Sequence, residues 1–376
     1  MKIPRYYADL GSFLKPNKVL VLYGPRQVGK TTLLKDYLAS APFKYRLDSG
    51  EDVRIQEILE YPDFAKIREY ASGYDLLAID EAQKIRNVGQ ALKILVDQVP
   101  GIRVIATGSS SFDLAGQVGE PLTGRKITLT LYPVAQVELA GMFTPFELRE
   151  RLEEFLIFGG YPEVAASSDK KEKARILTEI TSSYLLKDIL ALDRIKSSKI
   201  VMDLLWLLAF QIGCEVSLSE LAQKIGLDYK TVARYLDLLE KSFVILTLRG
   251  FSRNLRNEMT KKAKYYFLDN GIRNALIANF NPLDLRNDAG GLWENFLLLE
   301  RIKRQAYRAV PVNFFFWRTW EGQEIDLIEE REGRLFAFEL KWTGKGREPK
   351  RFREAYPEAE SEVVNRETYL RFVGVP

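Results

Sequence analysis

The chain has 376 residues, a length that predicts two or three domains with ordinary buried cores. With 46% hydrophobic and 28% charged residues, its composition is that of a soluble globular protein and excludes disorder as the main state. The sequence has no histidine and one cysteine, which excludes imidazole bases, Ser-His-Asp and Cys-His pairs, and zinc sites built from these residues. Any chemistry is therefore expected to use carboxylates, lysine, arginine, hydroxyls, backbone amides and metals bound through oxygen.

Cysteine usage and apolar runs predict the compartment. Cys214 alone cannot form an internal disulfide, and it fits a reducing cytoplasm. The start of the chain lacks the apolar core of a signal peptide, and the longest apolar run, residues 204–210, is too short to span a bilayer. A cytoplasmic protein without a membrane partner is expected. Its net charge of +4 is too small to indicate another partner.

A buried strand and a glycine-rich loop form the first motif. Residues 18–23 are a largely apolar run, typical of a strand buried on both faces. The following loop fits G-x-x-x-x-G-K-[ST], in which backbone N–H groups and the amino end of a helix bind phosphate. Lys30 is expected to reach the β- and γ-phosphates and Thr31 to bind Mg²⁺; a glycine turn without a ligand is the alternative. The predicted nucleotide-binding residues of the loop are Gly24, Pro25, Arg26, Gln27, Val28, Gly29, Lys30, Thr31 and Thr32.

An acidic pair ends a later strand. A strand at residues 43–47 and a helix at 53–59 precede the apolar run 76–79, which leads into Asp80 and Glu81. This pattern is typical of a Walker B element, in which Asp80 would hold Mg²⁺ through water and Glu81 would polarise the attacking water. A plain surface position is the alternative for such a pair.

Hydroxyl groups follow the next strand, at residues 103–107. Thr107 and Ser109 would lie at the carboxyl end of that strand, where a sensor of nucleotide state belongs; capping of a helix at Phe112 is the alternative. Arg125 then precedes a strand at residues 126–131. It could act as an arginine finger toward the nucleotide of a neighbouring subunit, or pair with a carboxylate.

The order of these motifs, with the later Gly159-Gly160-Tyr161-Pro162-Glu163, resembles the predicted ATPases of the AAA+ superfamily found in archaea and bacteria. The similarity covers essentially the whole chain and is most specific over residues 18–165. It implies ATP binding and Mg²⁺-dependent hydrolysis in a RecA-like α/β core, residues 1–142, followed by a helical lid, residues 143–195. Because ring assembly is typical of the superfamily, a homo-oligomer is a further expectation.

Residues 196–285 carry the signals of a winged helix-turn-helix. Ser217 with Glu220 predicts a helix that ends at Gly226, and Asp228 opens a second helix. Two short helices joined by a tight turn form a helix-turn-helix, and strands at residues 243–248 and 264–268 would complete the wing. The outer face of the second helix, where such helices contact base edges, would carry Tyr229, Lys230, Thr231 and Arg234.

A basic segment, residues 249–264, lies within this wing. It carries Glu258 as its one acidic residue against Arg249, Arg253, Arg256, Lys261, Lys262 and Lys264. Together with the helix face, the segment predicts DNA as a partner. A solvated hairpin surface, and a winged helix used for packing or protein contacts, are the alternatives.

Residues 286–376 contain a pattern typical of metal-dependent nucleases. Glu294 lies in a predicted helix, and three strands follow at residues 313–319, 324–329 and 334–342. Because strand side chains alternate, Glu339 and Lys341 share a face, and a hairpin can bring Asp326 against them. Glu294, Asp326 and Glu339 would bind Mg²⁺ while Lys341 activates the attacking water, as in PD-(D/E)xK nucleases. Ile325 replaces the leading proline of that pattern.

Two functions follow from these patterns. The first is an α/β enzyme with a RecA-like P-loop core and lid, a winged helix and a restriction-endonuclease-like domain, which couples ATP hydrolysis to DNA binding and cleavage. The resembling ATPases are thought to end in such a nuclease-like fold. The alternative is a signalling or defence switch, in which nucleotide state controls a C-terminal region that only binds a partner. An ordinary charged hairpin, or a nuclease fold without activity, would favour the second function.

Overall fold

The structure is a computed structural model that describes residues 2–109, 121–185, 198–252, 262–319, 321–344, 346 and 350–376. The chain forms two compact units. One consists of residues 5–132 with 241–243, and we call it the parallel-sheet unit. The other consists of residues 1–4, 133–240 and 244–376, and we call it the mixed-sheet unit.

The described strands of the parallel-sheet unit form one sheet in the order β2-β3-β4-β1-β5, and all neighbouring strands are parallel. This arrangement confirms the predicted α/β class of the first part of the chain. β1 and β4 lie inside the sheet, and their apolar side chains are buried as the continuous apolar runs predict. The strands are β1 (Lys18–Tyr23), β2 (Tyr45–Ser49), β3 (Leu76–Asp80), β4 (Arg103–Gly108) and β5 (Lys126–Thr130).

Helices connect these strands. Asp52 and Asp63 cap α2 and α3, since each carboxylate accepts a hydrogen bond from a backbone N–H of the first turn. One face of α4 packs Leu92 and Leu95 into a core that also contains Val21 of β1 and Leu77 of β3. The helices are α1 (Lys30–Leu38), α2 (Val53–Glu60), α3 (Phe64–Ala71) and α4 (Val88–Gln98), with short 3₁₀ turns at Leu10–Phe13 and Ala82–Lys84.

The described strands of the mixed-sheet unit form a second sheet, in the order β12-β11-β10-β9-β7-β8-β6. β7 pairs with β9 in parallel, so strands from the predicted winged helix and from the predicted nuclease-like region belong to one sheet. The strands are β6 (Glu215–Ser217), β7 (Ile245–Gly250), β8 (Lys262–Phe267), β9 (Asn313–Arg318), β10 (Glu324–Arg331), β11 (Arg334–Leu340) and β12 (Glu360–Val364).

Helices of the mixed-sheet unit include the predicted helix pair. Ser217 Oγ accepts a hydrogen bond from the Glu220 N–H at 3.4 Å, and Gly226 ends that helix with a φ of 68°. The helices are α5 (Gln136–Leu139), α6 (Pro145–Glu150), α7 (Leu152–Phe158), α8 (Pro162–Ala166), α9 (Lys170–Glu179), α10 (Ser198–Phe210), α11 (Leu218–Ile225), α12 (Tyr229–Lys241), α13 (Asn270–Leu276), α14 (Ala289–Tyr307), α15 (Lys350–Ala355) and α16 (Tyr369–Val373). A π-helical segment, Ile180–Leu185, follows α9, and a 3₁₀ turn lies at Leu283–Leu285.

The division into four domains stays a prediction. The second sheet crosses the predicted boundary between residues 285 and 286, because β7 lies before it and β9 after it. The predicted helix start at Phe112, and the basic residues Arg253, Arg256 and Lys261, lie outside the described residues.

The Gly159-Gly160 motif surrounds a buried carboxylate. The Gly160 N–H donates to Asp269 Oδ2 at 2.7 Å, and a Cβ atom on Gly159 would lie 2.0 Å from Asp269 Oδ1. No side chain therefore fits at residue 159 without displacing Asp269. Burial raises the pKa of Asp269 to about 6, against the hydrogen bonds from Gly160 and Ile272 that lower it.

Asn295 of α14 joins this helix to β8. Its Oδ1 accepts a hydrogen bond from the Phe267 N–H at 2.8 Å, and its Nδ2 donates to the Phe267 carbonyl oxygen at 2.9 Å. Strand β6 lies on the other side of β8 from β7, and among the described residues it pairs with 262–264 of β8. Asn295 therefore satisfies backbone groups beyond the end of that short strand, inside the protein, where the residue has 0% exposure.

We expect the Asn295→Leu variant to have a free energy of unfolding lower by about 1–3 kcal/mol, because the Phe267 N–H and carbonyl lose their partner in a buried position. Urea titration of the full chain, followed by circular dichroism, measures the change. The control is Asn313→Leu, since Asn313 is exposed and bonds Glu330 at the surface. Equal unfolding curves for the two variants would contradict the role of Asn295.

Candidate functional site

The glycine-rich loop connects β1 to α1. Gln27 and Gly29 have left-handed backbone conformations, with φ angles of 61° and 93°. The N-cap residue of α1 is Gly29, which has no side chain that could cap the first backbone N–H groups. A loop of this shape leading into an uncapped helix is the arrangement that binds phosphate groups.

The Lys30 side chain is buried inside this loop. The residue is 5% exposed, and its Nζ donates hydrogen bonds to the carbonyl oxygens of Gly24 and Pro25, each at 2.8 Å. A buried ammonium needs such partners because it has lost its water. The loop therefore fixes the amino group beside its own backbone, and the predicted contact of Lys30 with nucleotide phosphates stays a prediction.

Thr31 and Asp80 lie in direct contact. Thr31 Oγ1 donates to Asp80 Oδ2 at 2.7 Å, and Thr107 Oγ1 donates to Asp80 Oδ1 at 2.5 Å. The contact arises because β1, β3 and β4 are parallel, which brings their carboxyl ends to one edge of the sheet. A hydroxyl and a carboxylate at this edge are oxygen ligands of the kind Mg²⁺ prefers, so these residues fit the predicted ion.

Glu81 is held from two sides. It has a left-handed φ of 51°, and its N–H donates to Thr107 Oγ1 at 3.1 Å. Gln83 Nε2 donates to Glu81 Oε2 at 2.5 Å and to Ser109 Oγ at 3.0 Å. Non-glycine residues in this conformation are uncommon and store strain, and they occur often at functional positions. The structure therefore brings Glu81, Thr107 and Ser109 together, and the role of Thr107 and Ser109 as sensors of nucleotide state stays a prediction.

Arg125 lies away from this group. It precedes β5, where Lys126 is level with Val19 near the amino end of β1, and thus at the opposite edge of the sheet from the loop. Its Nε donates to Asp97 Oδ1 at 2.6 Å. Of the two alternatives from the sequence, the structure contains the carboxylate pair, and the arginine finger stays a prediction.

Three residues outside the motifs support the site. Arg5 donates to the Val28 carbonyl and, at 2.6 Å, to the Tyr132 carbonyl, and so connects the loop to the segment that follows β5. A Cβ atom on Gly50 would lie 2.3 Å from the Glu81 carbonyl oxygen. Gln83 joins Glu81 to Ser109. No sequence pattern marks Arg5 or Gly50, whereas Gln83 could have been noticed as a polar residue just after the acidic pair.

A second charged group lies in the mixed-sheet unit, at the ends of β10 and β11 remote from their turn. Lys341 Nζ lies 2.6 Å from Glu339 Oε2 and 3.3 Å from Asp326 Oδ2. The Leu340 N–H donates to Asp326 Oδ2 at 2.8 Å. A register shift in β10 between Ile325 and Ile328 lies at Asp326, and such bulges often redirect a side chain. The structure thus brings Asp326, Glu339 and Lys341 together.

Glu294 of α14 joins this group through a lysine that the motif does not include. Lys264 Nζ lies 2.8 Å from Glu294 Oε1 and 2.5 Å from Glu324 Oε1. The Tyr266 hydroxyl donates to Glu294 Oε1 at 2.5 Å. We call Lys264, Glu294, Glu324, Asp326, Glu339 and Lys341 the acidic cluster.

The acidic cluster differs from the metal site predicted from the sequence. Within the described ranges, no group of three or more acidic or cysteine side chains is arranged to hold a metal ion. The physical reason is that Lys264 and Lys341 contact the carboxylates that would be the ligands. Burial raises the pKa of Glu339, and the charge of Asp326 raises it further. As arranged, Glu294, Asp326 and Glu339 do not fit one shared ion, and we derive no cleavage step from them.

Three family models match successive parts of the chain. Residues 16–140 match an AAA domain, residues 149–284 match a domain of unknown function, DUF8612, and residues 289–372 match another, DUF4143. The AAA match contains the glycine-rich loop and the acidic pair at the end of β3. The first part of the chain is therefore a P-loop ATPase domain of AAA type, which confirms that part of the prediction.

Relatives extend over most of the chain. An uncharacterized protein of Mycobacterium tuberculosis is 30% identical over 330 residues, which cover 86% of this chain and 70% of that protein. The chain belongs to the family of this mycobacterial protein. An uncharacterized protein of Methanocaldococcus jannaschii is 26% identical over 381 residues, covering 95% of this member of the family and 83% of the archaeal protein.

Among solved structures, the Walker-type ATPase of Pyrococcus abyssi is similar, with a TM-score of 0.46 and 17% identity, over 69% of this family member and 91% of the Pyrococcus chain.

As for membrane spans, every helix in the part of the chain that the structure describes is too short or too polar to cross a bilayer.

We expect the Gly50→Ala variant to lower the turnover of ATP by up to about 100-fold, because the added methyl group displaces the Glu81 main chain while the phosphate loop is untouched. Steady-state phosphate release measures turnover, and a fluorescent ATP analogue measures binding, which should stay near the wild-type value.

The control for this variant is Gly141→Ala, since a Cβ atom there would have its nearest neighbour 3.9 Å away. If Gly50→Ala hydrolysed ATP as fast as Gly141→Ala, the close contact of residue 50 with Glu81 would have no functional importance.

Proposed function

We propose that the protein binds ATP with Mg²⁺ and hydrolyses it in the parallel-sheet unit, and that nucleotide state controls DNA binding by the mixed-sheet unit. The observation that carries the first part is the hydrogen-bonded chain from Thr31 through Asp80 and Thr107 to Glu81. It connects Thr31, at the end of the phosphate loop, to the main chain of Glu81, the residue whose carboxylate would act on water. The family match of the AAA domain supports the same function.

Binding of the nucleotide depends on the loop after β1. Backbone N–H groups of the loop and of the start of α1 would donate to the phosphate oxygens. Lys30 would add a positive charge from its buried position, where its ammonium donates to the carbonyl oxygens of Gly24 and Pro25. Thr31 and Asp80 would hold Mg²⁺, which supplies positive charge that stabilises the phosphate oxygens during transfer.

Hydrolysis depends on Glu81. Its carboxylate would orient a water molecule and accept its proton, while the water oxygen bonds to the γ-phosphorus and the bond to the bridging β–γ oxygen breaks. Gln83 holds the carboxylate through Oε2, and the Thr107 hydroxyl holds the main chain of the same residue. A carboxylate in this role suits a chain without histidine.

For the ATPase, we expect Lys30→Ala to lose nucleotide binding, and Glu81→Gln to bind ATP but hydrolyse it at least about 100-fold more slowly, because the amide cannot accept the proton. Binding of a fluorescent ATP analogue and release of phosphate are the two measurements.

The matched control for Glu81→Gln is Glu57→Gln, an exposed position on α2, which should hydrolyse ATP at the wild-type rate. An unchanged rate in Glu81→Gln would refute the role of Glu81, and unchanged binding in Lys30→Ala would refute that of Lys30.

DNA binding is proposed for the region of α10, α11 and α12 with β6, β7 and β8. The strand order β7-β8-β6 and the helix pair α11-α12 support a winged helix. At the start of α12, Tyr229 is 48% exposed, and Lys230 and Arg234 are exposed as well. Asp228 caps this end, accepting from the Thr231 N–H at 2.9 Å, which leaves the exposed side chains on a fixed helical turn.

We expect Lys230→Ala and Arg234→Ala each to weaken binding of duplex DNA and to reduce the slope of log K against log salt by about 1, because each basic side chain that contacts a phosphate releases about one counterion. Fluorescence anisotropy at several salt concentrations measures both quantities.

Lys224→Ala is the control for this measurement, since Lys224 pairs with Glu220 on the neighbouring helix α11 at 2.9 Å. If the slope of log K against log salt were the same for Lys230→Ala, Arg234→Ala and Lys224→Ala, the α12 face would not be the DNA site. Absence of DNA binding by the wild type would favour the alternative function, a nucleotide-controlled switch with a partner-binding C-terminal region. Cleavage of DNA by Asp326, Glu339 and Lys341 stays a prediction from the sequence.

A further inference from the structure

Lys264 is a buried lysine that none of the functions above uses. The residue is 1% exposed, and its ammonium lies between two carboxylates, 2.8 Å from Glu294 Oε1 and 2.5 Å from Glu324 Oε1. These carboxylates come from α14 and β10, whereas Lys264 comes from β8. The lysine therefore connects the two sequence regions on either side of residue 285 within the mixed-sheet unit.

The position of Lys264 is fixed by its surroundings. Its strand is paired on both sides, since Lys264 is level with Leu248 of β7 and with Glu215 of β6. Its Nζ also lies 5.5 Å from the centre of the Phe316 ring, a cation–π distance. The strand pairs fix the backbone of Lys264, and its side chain cannot leave the cluster without losing the Phe316 ring and both carboxylates.

The other carboxylates of the acidic cluster have cations of their own. Lys341 Nζ contacts both Glu339 and Asp326. Arg318 Nη1 lies 3.7 Å from Glu324 Oε2, the second oxygen of that carboxylate. Each of the four carboxylates thus has at least one basic side chain within salt-bridge distance.

A divalent ion would compete directly with these lysines. Mg²⁺ binds carboxylate oxygens at about 2.1 Å, so an ion bound to Glu294 Oε1 and Glu324 Oε1 would occupy the space of the Lys264 ammonium. Two positive charges cannot share that space in a buried site, because their repulsion is poorly screened. Binding of the ion would require Lys264 to leave.

We infer that Lys264 is the resident cation beside Glu294 and Glu324, and that its ammonium holds Glu294, one of the three carboxylates that the sequence pattern assigns to a divalent ion. The cluster is then a set of buried ion pairs that joins α14 and the β10–β11 hairpin to β8. This inference concerns the mixed-sheet unit alone and does not depend on ATP hydrolysis.

The test uses Mn²⁺ as the probe, with the full chain carrying Thr31→Ala so that the nucleotide site does not contribute. Electron paramagnetic resonance counts bound Mn²⁺, and thermal unfolding reports its effect on stability. We expect the Thr31→Ala protein, which retains Lys264, to bind Mn²⁺ no more tightly than the same protein with Asp326→Asn added. We expect Lys264→Met to bind Mn²⁺ about 10- to 100-fold more tightly, the range typical of changes around a metal site, and to lose this gain when Asp326→Asn is added.

Two further variants keep the test decisive. If Lys264→Met does not fold, Lys264→Met with Glu324→Gln removes the cation together with one of its carboxylates and leaves Glu294, Asp326 and Glu339 as ligands. Lys224→Met is the control, since it removes a surface lysine of α11 and should not change Mn²⁺ binding.

Three outcomes would overturn the inference. The first is Mn²⁺ binding by the chain with Lys264 that is lost in Asp326→Asn. The second is folded Lys264→Met protein without any gain in Mn²⁺ affinity. The third is plasmid cleavage by the wild type with Mn²⁺ that disappears in both Asp326→Ala and Lys341→Ala. None of these outcomes bears on the proposed ATPase, because Lys30→Ala and Glu81→Gln are measured separately.

Discussion

The phosphate loop and the acidic cluster each contain a buried lysine ammonium, and each site depends on how that charge is compensated. An amino group removed from water must be surrounded by oxygen atoms, since an uncompensated buried charge is strongly destabilising. Lys30 donates hydrogen bonds to two carbonyl oxygens of its own loop, which are uncharged partners. Lys264 meets this requirement with the carboxylates of Glu294 and Glu324, which cancel its charge. A buried lysine is thus suited to bind an anion in the parallel-sheet unit and to pair with carboxylates in the mixed-sheet unit.

Strand direction determines which residues can meet. In the parallel sheet, polar side chains at the carboxyl ends of β1, β3 and β4 converge although they are far apart in sequence, and Thr31, Asp80 and Thr107 form one hydrogen-bonded chain for this reason. Arg125 precedes its strand, and the same parallel order puts it at the other edge. In the mixed sheet, the antiparallel β10–β11 hairpin brings Asp326 beside Glu339, and the bulge in β10 adjusts the direction of its side chains.

What the sequence reveals depends on whether a contact is local or fixed by a periodic pattern. The glycine-rich loop and the acidic pair are short motifs beside apolar runs, and alternation within strands predicts that Glu339 and Lys341 share a face. Gly50, Arg5 and Lys264 act across long separations and carry no periodic signal. The sequence groups Lys264 with the basic segment, because net charge along a sequence does not distinguish an exposed lysine from one buried against carboxylates. Only the pairing of β8 with β6 and β7 determines its position.

The boundary between the two C-terminal family matches is not a boundary of the fold. One match ends at residue 284 and the next begins at 289, yet β7 pairs with β9 across this gap. Asn295 of α14 satisfies the backbone of Phe267 in β8, and Lys264 of β8 pairs with Glu294 of the same helix. Each region would therefore leave buried polar groups of the other without partners if it folded alone. The two regions depend on each other for these contacts, so a change at Lys264 is expected to act on both.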